Sequence, residues 1–135
     1  MIKNFDLATE DQAKKIEKKH GMWHIFAALK YSMSGLRIAL RETAIRHEIV
    51  LSVVHFVGIA VVNMPISVKM ILTAQLGLLL TTELLNTAIE STIDIASPSR
   101  NELAKNAKDL GSAAVFCALA FLTGGWVYAL LGVMP

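Results

Sequence analysis

A row of acidic side chains at helical spacing is the part of this sequence with the clearest potential for chemistry. Directly after a largely apolar run, residues 70–82, come Glu83, Asn86, Glu90 and Asp94. At about 100° per residue these four side chains fall within about a quarter of a helix circumference, and we call them the acidic ridge. Unpaired charge near a bilayer core costs on the order of several kcal/mol, so these carboxylates need a partner. A divalent cation is the natural candidate.

Charged residues from two other parts of the chain could complete a site around the acidic ridge. They are Arg37, Glu42, Arg46 and Glu48 before one apolar run, and Glu102, Lys105, Lys108 and Asp109 before another. Carboxylates from different helices together with an amide suit Mg²⁺, which prefers oxygen ligands and often shares its coordination sphere with substrate phosphates. A lysine that neutralises phosphate charge and a carboxylate base would complete a phosphoryl-transfer site. The alternative is a salt-bridge network that only holds three helices in register, and spacing alone does not decide between them.

The sequence contains no known nucleotide-binding loop. It lacks G-x-x-x-x-G-K-[ST], the Gly-rich loop of protein kinases and G-x-G-x-x-G. Any nucleotide site must therefore be built from helix ends and side chains. Gly124-Gly125, which lies deep in the last apolar run, is predicted to be a close helix contact rather than a phosphate cradle.

The composition is typical of a membrane protein. Of the 135 residues, 54% are hydrophobic and only 18% are charged. The net charge of +2 gives no indication of a nucleic-acid partner. The first twenty residues are charged where a cleavable signal would need an apolar core, so we expect the chain to insert through internal apolar segments.

The hydrophobic pattern predicts an N-terminal amphipathic helix within an all-α membrane protein. Apolar side chains recur at alternating steps of four and three from Met22 to Leu40, with basic residues off that stripe. Such a pattern is typical of a helix in the membrane interface, and a helix packed on a soluble core is the alternative. We expect residues 1–21 to form a polar surface extension and residues 22–135 to form the membrane domain.

Three transmembrane helices are expected to follow. Ser99 and Glu102 have the spacing of a capping box, which predicts that the last helix begins near Arg100. His55 lies in the first span and is expected to be hydrogen-bonded to a neighbour rather than catalytic. The predicted spans are residues 49–64, with a start as early as 41, residues 68–96, and residues 100–135.

The distribution of basic residues predicts the orientation. Nine of the thirteen Lys and Arg residues precede His47, and three more lie at Arg100, Lys105 and Lys108, so that only Lys69 falls in the opposite loop. By the positive-inside rule this indicates a cytoplasmic N-terminus and three crossings. The acidic ridge would then meet the cytoplasm.

Two stretches of the chain resemble the signatures of the small prokaryotic membrane diacylglycerol kinases. They are Glu-Leu-Leu-Asn-Thr-Ala-Ile-Glu at 83–90, followed by Asp94, and Glu-Leu-Ala-Lys-Asn-Ala-Lys-Asp-Leu-Gly-Ser-Ala-Ala-Val at 102–115. The resemblance extends over residues 23–131. It implies a homotrimeric helical bundle with three spans per chain in the bacterial inner membrane, with active sites shared between subunits.

The same resemblance implies a role for each matching residue. Glu83 would be the general base that takes the proton of the lipid hydroxyl, and Glu42 and Glu90 would hold the Mg²⁺ that bridges the phosphates of ATP. The remaining residues divide between a nucleotide site, with Tyr31, Asn86, Lys108 and Asp109, and a lipid site, with Arg37, Glu48 and Ser112. The implied activity is ATP-dependent phosphorylation of diacylglycerol to phosphatidic acid.

Three other functions are consistent with parts of the pattern. Undecaprenol kinases share the fold and also act on a primary hydroxyl at the interface, although residues 111–114 and His47-Glu48 look more like the diacylglycerol branch. A small oligomeric ion transporter would need acids near mid-membrane, whereas nearly all of these lie at one boundary. A purely structural bundle would tolerate Glu→Gln changes except in its stability.

Overall fold

The computed structural model describes residues 22–97 and 101–133, which form four helices and no strand. The helices are α1 (Met22–Ala39), α2 (Thr43–Val61), α3 (Ile66–Ala96) and α4 (Glu102–Val133). This confirms the all-α prediction. The predicted surface extension and Ser99 lie outside the described residues.

The chain divides into two compact units, one ending at Arg37 and the other beginning at Ile38. The first contains most of α1, whose apolar stripe has exposed side chains, including Phe26 and Leu29. The second contains α2, α3 and α4, and each of these three helices is long and apolar enough to cross a membrane. The predicted number of membrane-spanning helices is therefore confirmed within the described residues.

The helix lengths fit a bilayer and place the acidic ridge near its edge. At 1.5 Å per residue, the 19 residues of α2 extend about 28 Å, close to the roughly 30 Å of a hydrocarbon core. α3 has 31 residues and is longer than that core. Its apolar part, residues 66–82, extends only about 25 Å, so the ridge begins close to where the hydrocarbon ends.

α4 starts two residues after the predicted position, and α2 starts within the predicted range. α4 begins at Glu102, and its first turn is capped by Asn101, whose side-chain oxygen accepts a hydrogen bond of 2.8 Å from the N–H of Ala104. An Asn at this position satisfies one of the free N–H groups of the first turn, which favours a start here. α2 begins at Thr43, so Glu48 lies inside the helix and not before it.

α3 and α4 pack against each other in antiparallel directions along an apolar core. The contacts run in opposite order along the two helices, since Leu72 clusters with Ala129 and Leu79 clusters with Ala118. Gly125 is one of the closest points, because a Cβ there would lie 3.0 Å from Leu72 Cδ2. The predicted close helix contact is thus confirmed at Gly125.

α2 joins this pair through a polar contact within the apolar layer. The indole N–H of Trp126 donates a hydrogen bond of 3.1 Å to Nδ1 of His55, which is buried. Gly58 lies about one turn further along α2, and a Cβ there would be 2.6 Å from the Trp126 ring. His55 is therefore hydrogen-bonded to a neighbouring helix, as predicted.

Candidate active site

The acidic ridge is buried at its end nearest the apolar run and exposed at Asp94. Glu83 and Asn86 retain only 6% and 7% of their exposure, and Glu90 is half-buried. Residues 86, 90 and 94 are four apart and so form one row along the surface of α3. Within that row the side-chain N–H of Asn86 donates a hydrogen bond of 3.2 Å to Oε1 of Glu90. The structure thus brings together two of the residues predicted to bind the metal and the nucleotide.

α4 covers this row at two points, one on each side of Glu90. Gly111 lies against Asn86, and a Cβ at position 111 would collide with Oδ1 of that amide. Asp94 lies about two turns beyond Asn86 on α3, and Lys108 of α4 forms an ion pair with it. Along α3, Glu90 therefore lies between the close contact at Asn86 and the ion pair at Asp94.

α2 contributes a second buried carboxylate. Glu48 retains 8% of its exposure, and its Oε2 has no hydrogen-bond partner within residues 22–97 and 101–133. The charge of Glu83 acts on Glu48, and the charge of Glu90 acts on Glu83. Glu83 is thus within electrostatic range of both Glu48 and Glu90. Buried like charges destabilise a fold, so such an arrangement is favoured where it serves a function.

Lys108 and Asp109 both form ion pairs with other charged residues of the predicted clusters. Lys108 pairs with Asp94 across two helices, and Asp109 accepts a hydrogen bond of 3.0 Å from Lys105 one turn earlier in α4. Asp109 and Ser112 are exposed, and Lys108 is partly buried.

The other predicted site residues are exposed. Glu42 is the residue before α2 and makes no side-chain capping hydrogen bond with that helix. Tyr31 and Arg37 lie on α1 with exposed side chains. The contacts of these three residues with metal, nucleotide and lipid stay predictions.

The donor atoms on the ridge fit a magnesium nucleotide. Among the residues that the structure describes, no group of three or more Asp, Glu, His or Cys side chains is arranged to hold a metal ion. Mg²⁺ bound with a nucleotide commonly takes only one or two protein carboxylates, and phosphates and water fill its other positions. Glu90 offers such a carboxylate, bonded to Asn86, whose Oδ1 is buried without a hydrogen-bond partner in the described chain.

Comparison with known proteins identifies the family of this chain. The family model for prokaryotic diacylglycerol kinase matches residues 30–130, which include α2, α3 and nearly all of α4. The chain belongs to the prokaryotic diacylglycerol kinase family. Membership of this family favours a kinase over a purely structural network, and with α2, α3 and α4 the kinase is a multi-pass membrane protein.

Curated relatives agree with the family model. The diacylglycerol kinase of Pseudomonas aeruginosa is 41% identical over 113 residues, which cover 83% of this chain and 92% of the relative. Diacylglycerol kinases of a Sinorhizobium species and of Escherichia coli K12 are 35% and 34% identical, covering 87% and 78% of this chain and 84% and 88% of the relatives. These alignments extend over most of both chains, so the family assignment applies to nearly the whole sequence.

Two contacts around the acidic ridge were not predicted from the sequence, one made by Gly111 and one made by Asp94. Gly111 lies within the recognised stretch 102–115, and the absence of a side chain there was the available signal. Asp94 was recognised as part of the ridge, but its pairing with Lys108 depends on how far α4 is shifted along α3. Sequence spacing carries no information about that shift.

Proposed function

We propose that this chain transfers the γ-phosphoryl group of ATP to the free hydroxyl of diacylglycerol, making phosphatidic acid. The observation that carries this proposal is that the buried Glu83 lies within electrostatic range of the buried Glu48 and the half-buried Glu90, with Asn86 bonded to Glu90. In a family whose named relatives are diacylglycerol kinases, Glu83 and Glu90 offer a base and a metal ligand on one helix.

Glu83 is the general base in this proposal. It is the ridge carboxylate nearest the apolar part of α3, where a lipid hydroxyl meets the aqueous phase, and it is buried. In one in-line step the hydroxyl oxygen bonds to the γ-phosphorus, the bond from that phosphorus to the bridging oxygen of ADP breaks, and the hydroxyl proton passes to Glu83. No phosphoenzyme is required.

Glu90 and Glu42 would hold Mg²⁺, and Asn86 would orient Glu90. The bound ion supplies charge neutralisation to the triphosphate. Lys108 would neutralise the remaining phosphate charge, because a lysine ammonium is a compact charge with three donors. The wider nucleotide site would include Tyr31 and Asp109, and the lipid site would include Arg37, Glu48 and Ser112.

The proposal includes a location and an assembly. The N-terminus faces the cytoplasm and the acidic ridge lies at the cytoplasmic boundary of the bacterial inner membrane, as the basic residues favour. Residues 22–135 form the kinase domain, and residues 1–21 form a polar extension. The enzyme is a homotrimer with shared sites, because three helices have too little surface to enclose both a nucleotide and a lipid.

A phosphate-transfer assay tests the proposal directly. Purified protein in mixed micelles receives Mg²⁺, ATP labelled at the γ-phosphate, and either diacylglycerol, undecaprenol or no lipid. We expect labelled phosphatidic acid as the main product, with little ATP consumed when lipid is absent. A large excess of undecaprenyl phosphate would show that the chain is an undecaprenol kinase. Ion flux in proteoliposomes without lipid phosphorylation would support a transporter instead.

Substitution of Gly111 by Ala tests the role of the close contact beside Asn86. The new Cβ would collide with Oδ1 of the amide and lie 3.3 Å from its Cγ, so Asn86 must rotate away from Glu90. Loss of a hydrogen bond that orients a metal ligand typically costs about 10–100-fold in activity, and we expect a decrease of this size in kcat.

The matched control for that substitution is Gly124→Ala on the same helix. A Cβ at position 124 meets nothing within 4 Å in the chain. This variant should keep most of its activity. Equal losses in the two variants would show that the effect comes from α4 in general and not from Asn86.

A further inference from the structure

Lys108 is held by a partner outside the set of residues proposed to bind the nucleotide. Its ammonium group donates a hydrogen bond to a carboxylate oxygen of Asp94, across the interface between α3 and α4. The two residues are 14 positions apart in the sequence, so the pair forms only when the two helices pack together. The pair therefore ties the position of the Lys108 ammonium group to Asp94 on α3.

Asp94 lies next to Glu90 on the acidic ridge. Asp94 follows Glu90 by four residues, which places it on the same face of α3 about one turn, or 5.4 Å, further along. On α4, Lys108 precedes Gly111 by three residues, and Gly111 lies against Asn86. The ammonium group of Lys108 is thus held about one helical turn from the carboxylate proposed to bind Mg²⁺, on the side away from the apolar run.

The ion pair has little effect on stability and a large effect on where the ammonium lies. The side chains of Lys108 and Asp94 retain 37% and 66% of their exposure, and ion pairs this exposed contribute little to folding. A free lysine side chain samples many rotamers along its flexible four-carbon stem. Contact with Asp94 selects those in which the ammonium stays beside the ridge.

The pair also leaves donors available for a ligand. An ammonium group has three N–H donors, and Asp94 accepts one hydrogen bond in the structure. Two donors remain for phosphate oxygens. A lysine oriented beforehand binds such oxygens at a lower entropic cost than one that must be ordered on binding.

We propose that Asp94 is a positioning residue for the nucleotide: it holds the Lys108 ammonium beside Glu90, so that the phosphates bind Lys108 and the metal together. This inference rests on the proposed function, because it requires Lys108 to contact the triphosphate. Asp94 itself touches neither substrate. Its effect is on nucleotide binding and is transmitted through Lys108.

A double-mutant cycle on the full-length enzyme tests the inference. The variants are Asp94→Asn, Lys108→Met and the double variant, assayed in mixed micelles for kcat and for the KM of MgATP and of diacylglycerol. We expect Asp94→Asn to raise the KM of MgATP up to about five-fold, the upper range for a partly exposed ion pair. The KM of the lipid should not change. In the Lys108→Met background, Asp94→Asn should have no further effect.

The control variant is Lys69→Gln, which removes a charge near the start of α3, at the opposite end of that helix from Asp94. It should leave the KM of MgATP unchanged, and its thermal unfolding midpoint in detergent should match that of Asp94→Asn. An unchanged or lower KM in Asp94→Asn, or an effect that persists in full without Lys108, would overturn the positioning role alone. An unchanged KM in Lys108→Met would contradict the proposed nucleotide site, and the inference with it.

Discussion

Replacing Glu83 with Gln is expected to lower kcat for lipid phosphorylation by about 10²–10⁴-fold, the usual contribution of a general base. Gln has nearly the same shape as Glu but cannot accept the hydroxyl proton. Glu83 is buried at the end of the apolar part of α3, so water has little access to replace it. The measurement is kcat at saturating MgATP and diacylglycerol in mixed micelles.

The stability of the Glu83→Gln variant should not decrease when its activity does. The charge of Glu83 acts on Glu48, and that of Glu90 acts on Glu83, so a neutral side chain at position 83 removes a repulsion inside the fold. Removal of an uncompensated buried charge commonly stabilises a protein. We therefore expect the thermal unfolding midpoint of Glu83→Gln to equal or exceed that of the unmodified enzyme.

The control for both measurements is again Lys69→Gln, which removes a charge near the start of α3, away from the acidic ridge. It should keep nearly full activity. If kcat of Glu83→Gln fell by less than about ten-fold, the decrease would be too small for the loss of a general base. Another group would then have to accept the proton. If its activity and its unfolding midpoint fell together, the residue would be structural.

Helical periodicity was enough to predict the acidic ridge, because side chains four apart on a helix must lie in one row. The same reasoning could not predict what covers that row. Gly111 meets Asn86 and Lys108 meets Asp94 because of the relative shift of α3 and α4, which depends on how the apolar side chains of the two helices pack together. Patterns within one helix do not encode that shift.

The first span shows a similar limit of single-helix reasoning. A charged residue normally marks the end of an apolar helix, so the sequence predicts an apolar span at residues 49–64, with a helix start as early as 41. In the structure α2 begins at Thr43, and Glu48 lies inside it and is buried. The burial of Glu48 was not predicted, because it depends on the packing of α2 near Glu83 of α3, which hydropathy along the chain cannot represent.

Replacing Glu90 with Gln is expected to lower the affinity of the enzyme for Mg²⁺. It should not remove the group that accepts the proton of the lipid hydroxyl. An amide oxygen at position 90 can still accept the hydrogen bond from Asn86, so the local structure should be kept. What is lost is the negative charge that attracts the metal. Loss of a partner that only orients a ligand costs about 10–100-fold in metal affinity, so loss of the ligand charge itself should cost at least as much.

A magnesium titration separates this effect from that of Glu83→Gln. We expect the Mg²⁺ concentration for half-maximal activity to rise at least about 10-fold in Glu90→Gln, with part of the activity restored at high Mg²⁺. In Glu83→Gln that concentration should stay unchanged and no amount of Mg²⁺ should restore the rate, because a metal ion on the nucleotide does not replace a proton acceptor beside the lipid. The same titration curve in both variants would mean that the two carboxylates act as one unit, and the assignment of base to Glu83 and metal ligand to Glu90 would have to be abandoned.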